Sequence, residues 1–423
     1  MPAPPKRLNP AAFESAKRAY VSLMRMGVTN WVKLVADAPS ERLEVVGFRS
    51  TNNETGVDDT QREAWDIWQE NDLDAQSMLV HDNALQTGQA FVMVDPFNGD
   101  ITCEHSAQMI VAYEPGSRRK VIAALKLWDE DSGIWMSTLI LPKSVHKWMG
   151  ATFAGPWEIR GEDAELVNPL GVVPVVEFAA NPSLRPKMYG GGVGEFETVL
   201  PIQDRINKTV FDRLVTGEFQ AFRQRYIVGW TPDHDEKTGL PKPAAVQAAW
   251  ESMLWTFDGD PTEVKLGEFA QADFDGFVKA CEADVNAMAA ISKTPPHYLL
   301  GAMVNISGDA LAAAESGLTA KTRKHARNFG AAWEQVMRYA GMVRGSSIAD
   351  DNASEIIWGD IEHRTWGEQV DAVLKMAALE VPREALWERL PDVSPQDIVR
   401  WRGMAGIDRL FAPPSGDDDD AVT

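Results

Sequence analysis

The strongest constraint on this fold is a helical repeat that begins near Glu195 and continues for roughly thirty residues. Pro201 indicates where its main helix starts, because proline is accommodated in the first turn of a helix. At 1.5 Å per residue, such a helix is roughly 35 Å long. Apolar residues follow it in two lines, so it needs neighbours on two sides. The lines are Val199, Ile202, Ile206, Val210 and Leu214, and Phe211, Val215, Phe219 and Phe222.

The segments after this helix predict a small β lobe between two helices. Short strands at Tyr226–Trp230 and Leu254–Phe257 flank a polar segment, 231–243. A second helix is expected over about 272–292, ending before Pro295 and Pro296. A loop, Lys293–Gly308, then leads into a long helix from Asp309 to about Gly341.

The first 195 residues predict helices followed by an antiparallel meander. Helices are expected over 10–35, after Asp58-Asp59-Thr60, and from Asp74 to Thr87, with an irregular stretch around Pro39 and a strand at 43–48. Between 89 and 180, short β-rich runs alternate with turn residues, and no crossover is long enough for a parallel sheet. The chain is therefore predicted to be α+β, with 190–194 as a glycine-rich hinge or, alternatively, an anion cradle.

Composition excludes several classes of protein. Acidic residues number 62 and basic residues 41, so the net charge of −21 argues against coating nucleic acid by bulk charge, although a local basic patch is still compatible. Cys103 and Cys281 form no disulfide framework or zinc pair, which favours a reducing compartment. The N-terminus has no apolar signal core, and no apolar run reaches membrane-spanning length.

Catalytic motifs are weak, and the sequence predicts no enzyme, no cofactor and no metal. A GxxxxGK[ST] phosphate loop is absent. Ser117 and Ser144 each match SxxK, but both fall between predicted strands instead of at a helix start. Cys103 and His105 share a strand face without further metal ligands nearby, which favours a structural role.

Three stretches resemble the portal proteins of tailed bacteriophages, in the branch common among phages of actinobacteria. They are 168–178 (NPLGVVPVVEF), 200–209 (LPIQDRINKT) continuing to 219–225 (FQAFRQR), and 291–301 (ISKTPPHYLLG) followed by 305–311 (NISGDAL). The third is the most specific, because portals carry a similar Pro-Pro-x-x-Leu-Leu-Gly element there. The order of the predicted elements resembles the family over nearly the whole chain.

The resemblance implies a portal fold assembled as a ring, usually of twelve subunits. It implies a wing at 1–195 with the long helix 309–345, and a stem at 196–225 and 271–292. It also implies a clip at 226–270, a tunnel loop at 293–308, and a helical crown with an acidic tail at 346–423. The implied function is conduction of double-stranded DNA at one capsid vertex. The implied partners are terminase, head-tail adaptor, major capsid and scaffold proteins, in the virion and, during assembly, the host cytoplasm.

Within that frame, the residues suggest specific roles. An acidic face on the second helix (Asp275, Glu282, Asp284) and Lys293 are candidate channel-lining residues; the alternative is a solvated surface. The tunnel loop would include Thr294, Pro295, Pro296, His297 and Asn305. The clip residues Asp233, His234, Asp235, Glu236 and Lys237 would bind terminase or adaptor, or belong to a linker. The basic cluster Lys321, Arg323, Lys324 and Arg327 would pair with acids of a neighbouring subunit, contact DNA, or remain solvated.

Two other functions remain open on the sequence alone. One is a non-conducting head scaffold or adaptor of another fold, and the other is a hydrolase that uses the glycine-rich turn or an SxxK serine. A ring without a DNA-width channel would favour the scaffold, and turnover lost in Ser117→Ala or Ser144→Ala would favour the hydrolase.

Overall fold

The computed structural model describes most of the chain and divides it into two compact units. One unit comprises 1–34 and 198–304, and the other comprises 35–197 and 305–423. The described residues are 10–404 except 50–58, 118, 131–132, 162–164, 185–190, 222–224, 229–253, 258–264, 269–272, 301–307, 363–365, 380, 383–385, 388–389, 391–392, 394–396 and 399. The resemblance placed residues 1–34 in the wing. In the structure they belong to the same compact unit as the segments that the resemblance assigned to stem and clip.

The first unit is built on helices, and its N-terminal helix is shorter than predicted. Helix α1 is Pro10–Met26 and α2 is Trp31–Ser40. The single helix predicted over 10–35 is therefore wrong. A Cβ at Gly27 would lie 3.2 Å from Phe211, so this glycine lets the turn after α1 approach that residue closely. The irregular stretch predicted around Pro39 is helical, since proline near a helix end costs only one backbone hydrogen bond.

Two longer helices and a small sheet complete the first unit. Helix α5 is Leu200–Ala221, and α6 is Asp275–Ser292. Strand β11 (Arg225–Val228) pairs in parallel with β12 (Leu254–Phe257) and antiparallel with β13 (Lys265–Glu268). The predicted β lobe is thus confirmed and has a third strand, while its polar segment, 231–243, lies outside the described residues.

The core of the second unit is rich in aromatic residues. It is formed by α3 (Asp59–Glu70), α4 (Leu73–Thr87), α8 (Gly308–Arg344) and a three-stranded sheet. The sheet has the order β10-β2-β3, with β2 at Gln89–Val94, β3 at Ile101–Glu104 and β10 at Val175–Ala179. Trp68, Phe178 and Trp333 meet edge to face in its centre.

His81 on α4 is a structural part of this core. The indole nitrogen of Trp333 donates to Nε2 of His81 at 2.9 Å, so the His81 Nδ1–H donates to the carbonyl of Leu43. Burial lowers the pKa of His81 to about 3, and the ring is therefore neutral.

The predicted meander is two separate sheets. The larger is wholly antiparallel in the order β4-β5-β6-β7-β8, with β9 also paired to β7. Its strands are Met109–Tyr113, Val121–Asp129, Trp135–Ile140, Ser144–Gly150, Trp157–Ile159 and Leu166–Val167. The sequence predicted antiparallel pairing correctly, but it missed that β10 returns to pair with β2.

The long helix α8 has 37 residues, or about 55 Å, and its C-terminal end leads to a strand that pairs far back in the chain. After a 3₁₀ turn (Ser347–Asp350), β14 (Glu355–Trp358) pairs antiparallel with β1 (Val45–Arg49). Strand β14, which lies in the segment that the resemblance implied as the crown, thus belongs to the same compact unit as β1. Helix α9 (Trp366–Ala377) follows. Among the described helices, none has the length and apolar character needed to cross a membrane.

Candidate functional site

Helices α5 and α6 form the packed pair on which the predicted channel residues lie. Ile202 and Ile206 of α5 and Val285 and Met288 of α6 are buried at the helical spacing seen in the sequence. Beside this apolar contact, Arg205 Nη2 lies 2.6 Å from Asp284 Oδ1, which adds an ion pair between the helices.

The predicted acidic face of α6 is correct for two residues and wrong for the third. Asp275 and Glu282 are seven residues apart, two helical turns, and both are exposed. Asp284 lies about 200° around the helix from Glu282, and its side chain is only 17% exposed in its ion pair with Arg205. Asp284 therefore joins helices, while Asp275 and Glu282 present carboxylates to solvent.

Helix α6 ends in a tight turn at the start of the predicted tunnel loop. Lys293 adopts the left-handed conformation (φ 56°), and the backbone N–H groups of Lys293 and Thr294 both donate to the carbonyl of Ala289. Ser292 donates its hydroxyl to Thr294 Oγ1 at 3.0 Å, and both side chains are buried. This turn fixes the chain direction and leaves the Lys293 side chain exposed.

The predicted loop 293–308 contains a short helix. Residues Pro296–Leu300 form α7, so the expectation of an irregular segment is wrong there. Pro295 is buried, Pro296 is exposed, and the rings of His297 and Tyr298 lie 4.9 Å apart. Asn305 lies outside the described residues, as do the clip residues Asp233, His234, Asp235, Glu236 and Lys237.

Three of the four basic residues of the cluster on α8 contact polar side chains of the same chain, and the role of the cluster between subunits or toward DNA stays a prediction. Arg323 pairs with Glu362, and Lys324 donates to Asn181 Oδ1 at 3.3 Å. Lys321 is buried and its Nζ lies 3.0 Å from Glu195 Oε2. Lys324 and Arg327 are exposed, and neither forms an ion pair with a described residue.

Glu195 is the centre of a buried charged cluster that the sequence did not reveal. His325 Nε2 lies 2.9 Å from Glu195 Oε1, and Asn181 Nδ2 donates to the same oxygen at 2.7 Å. Burial raises the pKa of Glu195, but the hydrogen bond from His325 and the charge of Lys321 outweigh it and hold the pKa at about 2. The carboxylate is therefore ionised and fastens the segment before α5 to α8.

The glycine-rich segment is packed against neighbouring backbone. A Cβ at Gly192 would lie 2.1 Å from the carbonyl oxygen of Gly88, and one at Gly194 would lie 2.4 Å from that of Gln86. The amides of Val193 and Glu195 donate to carbonyls of Ala180 and Leu85. These glycines thus permit close approach, and those two amides are not available to an anion.

The sequence also did not reveal a hydrogen-bond network around the side-chain amide of Gln203 on α5. Its Oε1 accepts from the N–H groups of Trp31 and Val32, the first residues of α2, at 2.9 and 3.2 Å. Its Nε2 donates to the Thr29 carbonyl and to Asn207 Oδ1. Gln203 therefore caps a helix far away in sequence. The sequence signal for this cap was the pair of amide side chains Gln203 and Asn207, which are spaced i, i+4 beside the apolar line of α5.

The described residues of the weak catalytic motifs take part in turn and strand contacts. The Ser117 hydroxyl accepts from the backbone amides of Arg119 and Lys120, as in a turn. Ser144 Oγ lies 3.0 Å from His146 Nε2, and Lys147 lies on the other face of that strand. Burial raises the pKa of Cys103 to about 12, so its thiol stays protonated. Among the described residues, no cluster of three or more His, Cys, Asp or Glu could hold a metal.

Comparisons with known proteins give a family match over most of the chain. The family described as "Phage portal protein, SPP1 Gp6-like" matches residues 20–405. Portal proteins of Mycobacterium phages D29 and L5 are each 28% identical over 363 residues, which cover 81% of this chain and 71% of theirs.

Solved structures with similar chains include particle components and a portal. A chain from the neck of an empty gene transfer agent particle is 13% identical at a TM-score of 0.49, covering 89% of this chain and 94% of that one. An HK97-family phage portal protein from Corynebacterium diphtheriae is 9% identical at a TM-score of 0.33, covering 78% of this chain and 91% of that one.

Proposed function

This chain belongs to the SPP1 Gp6-like phage portal protein family, and we propose that about twelve copies form a ring that conducts double-stranded DNA. The family is a structural one, and portals stand at the phage head. We further propose that the ring occupies one capsid vertex of the virion and assembles in the host cytoplasm. There it contacts major capsid and scaffold proteins, and it docks terminase before the head-tail adaptor.

The observation that carries DNA conduction is the exposed acidic pair on α6. Asp275 and Glu282 lie on one side of a helix that ends at the exposed Lys293. Carboxylates repel phosphate, whereas basic contacts would grip DNA through counterion release. A lumen lined by these acids therefore lets DNA slide. The net charge of −21 per chain supports this role, since a ring of twelve carries roughly 250 negative charges.

Lys293 is the proposed point of transient contact with DNA. Its backbone is fixed by the turn after α6, and its side chain extends into solvent. A single exposed ammonium per subunit neutralises few phosphates, so its contact is weak and reversible. We assign the tunnel loop to 293–308 on this basis, with the clip at 226–270 as the docking site for terminase and then adaptor.

The first test is imaging of the purified chain by electron microscopy, with its mass measured by light scattering. The expected result is a ring of about twelve subunits with a hole wide enough for duplex DNA. A closed dimer with a deep cleft would contradict the proposal.

Packaging assays test the two proposed elements separately. Deleting 295–306 should leave rings intact and reduce packaged or retained DNA; normal packaging would show that the tunnel loop lies elsewhere. Replacing 231–243 by a short Gly-Ser turn should spare ring assembly and weaken terminase docking. Unaltered docking would assign that role to another segment.

A further inference from the structure

One face of the six-stranded sheet is apolar and exposed. Strand register places Leu125 opposite Leu139, and Leu127 in a row with Ser137, Trp148 and Ile159, where Ser137 is buried between its larger neighbours. Ile110 lies opposite Leu125 and extends this face, which we call the outer sheet face. Ile110 is 65% exposed and Ile159 is 51% exposed, while the leucines between them are half-buried.

The opposite face of the same sheet already has its partners. Ala124, Ile140 and Val145 lie there and belong to a buried cluster with residues of the neighbouring sheet. The same face carries Lys126, whose Nζ is paired with Glu104 of β3. The strands of the six-stranded sheet otherwise pack chiefly on one another. An antiparallel sheet that is solvated on one side normally has polar residues there. The exposed outer sheet face therefore has the character of an interaction surface.

The charges on the outer sheet face are acidic. Asp129 lies at the end of β5 opposite Trp135, and Glu165 lies just before β9, 4.0 Å from His146 Nε2. No strand residue on this face is a lysine or an arginine. Two copies of this face would therefore repel each other at the rim, so a complementary surface must be basic.

Helix α1 has that complementary character. Tyr20, Val21 and Met24 fall within about 100° of its circumference, and all three are exposed. One edge of the stripe already contacts α5, since the Tyr20 ring packs edge to face on Phe211 at 5.1 Å. Lys17 lies within the angular range of this stripe and Arg25 lies at its border, and both are exposed. The stripe therefore combines apolar and basic side chains, whereas the outer sheet face is apolar with an acidic border.

We propose that the outer sheet face of one subunit binds helix α1 of a second copy of this chain. The proposal rests on the proposed ring and specifies one of its subunit contacts. A helix that lays an apolar stripe on a sheet is a standard layer arrangement in proteins. Because two different surfaces mate, the contact is heterologous and repeats around a ring instead of closing as a twofold dimer.

Lysine substitutions at exposed positions test the contact without disturbing a buried core. In the full-length chain, Ile110→Lys and Ile159→Lys place a cation opposite Lys17 and Arg25. Met24→Lys places a further cation in the apolar stripe of α1. We expect each to lower the fraction of chain in rings at least about tenfold at equal concentration, measured by light scattering and electron microscopy. Leu374→Lys, on the exposed surface of α9, is the matched control and should leave ring mass unchanged.

The outcomes separate this contact from the ring itself. If the wild type forms rings and Ile110→Lys and Ile159→Lys form them equally well, the outer sheet face is not a subunit contact. The proposed ring itself would not be affected by that result. Rings that persist in Met24→Lys alone would overturn the assignment of α1. A wild-type chain that forms no ring would contradict the proposed function, and the contact with it. Circular dichroism and melting temperature would confirm that each variant folds.

A disulfide provides direct evidence of proximity. Met24→Cys combined with Ile110→Cys, in a chain with Cys103→Ser and Cys281→Ser, should form covalent oligomers on mild oxidation of rings. Met24→Cys with Leu374→Cys is the control and should not. Absence of intermolecular disulfides in intact rings of the first variant would overturn the contact.

Discussion

Removing the charge of Glu195 should weaken the fold by several kcal/mol. In Glu195→Gln the amide retains a hydrogen-bonding oxygen for His325, but the buried ammonium of Lys321 loses its ion pair with Glu195. The side chain of Lys321 is 8% exposed, so water does not replace the lost carboxylate. Breaking a buried ion pair by removing one member costs about 3–5 kcal/mol.

The pKa of Glu195 gives a second route to the same magnitude. Its pKa is lowered from 4.5 to about 2, which corresponds to about 3 kcal/mol of stability at neutral pH. Because the folded pKa is depressed, this contribution is complete above pH 4.5 and is lost as the pH falls toward 2. At pH 3 about 1 kcal/mol of it remains.

The appropriate assay is urea unfolding between pH 3 and pH 7, followed by a signal that reports on the second unit. The difference in unfolding free energy between wild type and Glu195→Gln should shrink by about 2 kcal/mol over that range. Glu282→Gln, an exposed acid, is the control and should differ from wild type by less than about 0.5 kcal/mol. Adding Lys321→Met to Glu195→Gln should recover most of the loss. A cost below about 1 kcal/mol, or one independent of pH, would refute the reasoning.

Three further predictions concern backbone caps, glycines and the acidic pair. Gln203→Leu should cost about 2 kcal/mol because it leaves two amides of α2 without an acceptor, whereas Gln203→Glu should retain most of the stability, as thermal melts will show. Gly192→Ala should destabilise by about 1–3 kcal/mol through the clash at Gly88, while Gly217→Ala, with open space around its Cβ, should stabilise α5 by about 0.5–1 kcal/mol. Asp275→Lys with Glu282→Lys should leave rings intact and slow packaging in vitro; unchanged packaging would remove these acids from the channel.

Local patterns in the sequence predicted elements better than their pairing. The end of α4 at Gly88 was predictable, because a glycine there adopts the left-handed conformation with φ 95°. The strand Glu355–Trp358 contains Ile356, Ile357 and Trp358, residue types that favour strands. Its pairing with Val45–Arg49 was not predictable, since nothing in either segment encodes a partner some 300 residues away.

In the candidate site, too, the sequence indicated local features but not their partners elsewhere in the chain. Asp275 and Glu282 were predictable because helical spacing places them together, and the same geometry excludes Asp284, which the prediction overlooked. The basic residues of α8 were visible as charges, but their partners Glu195 and Glu362 come from other parts of the chain. Tertiary packing therefore decided which charges are exposed, and sequence periodicity alone could not.

The pairing of the first strand with the last has a consequence for biosynthesis. Val45 pairs with Trp358, so the two-stranded sheet that closes the second unit cannot form until residue 358 has left the ribosome. At roughly 10 residues per second, the early strand waits about half a minute for its partner. The nascent chain thus carries an unpaired strand edge for most of its synthesis, and a chaperone that shields this edge would raise the yield of folded subunits.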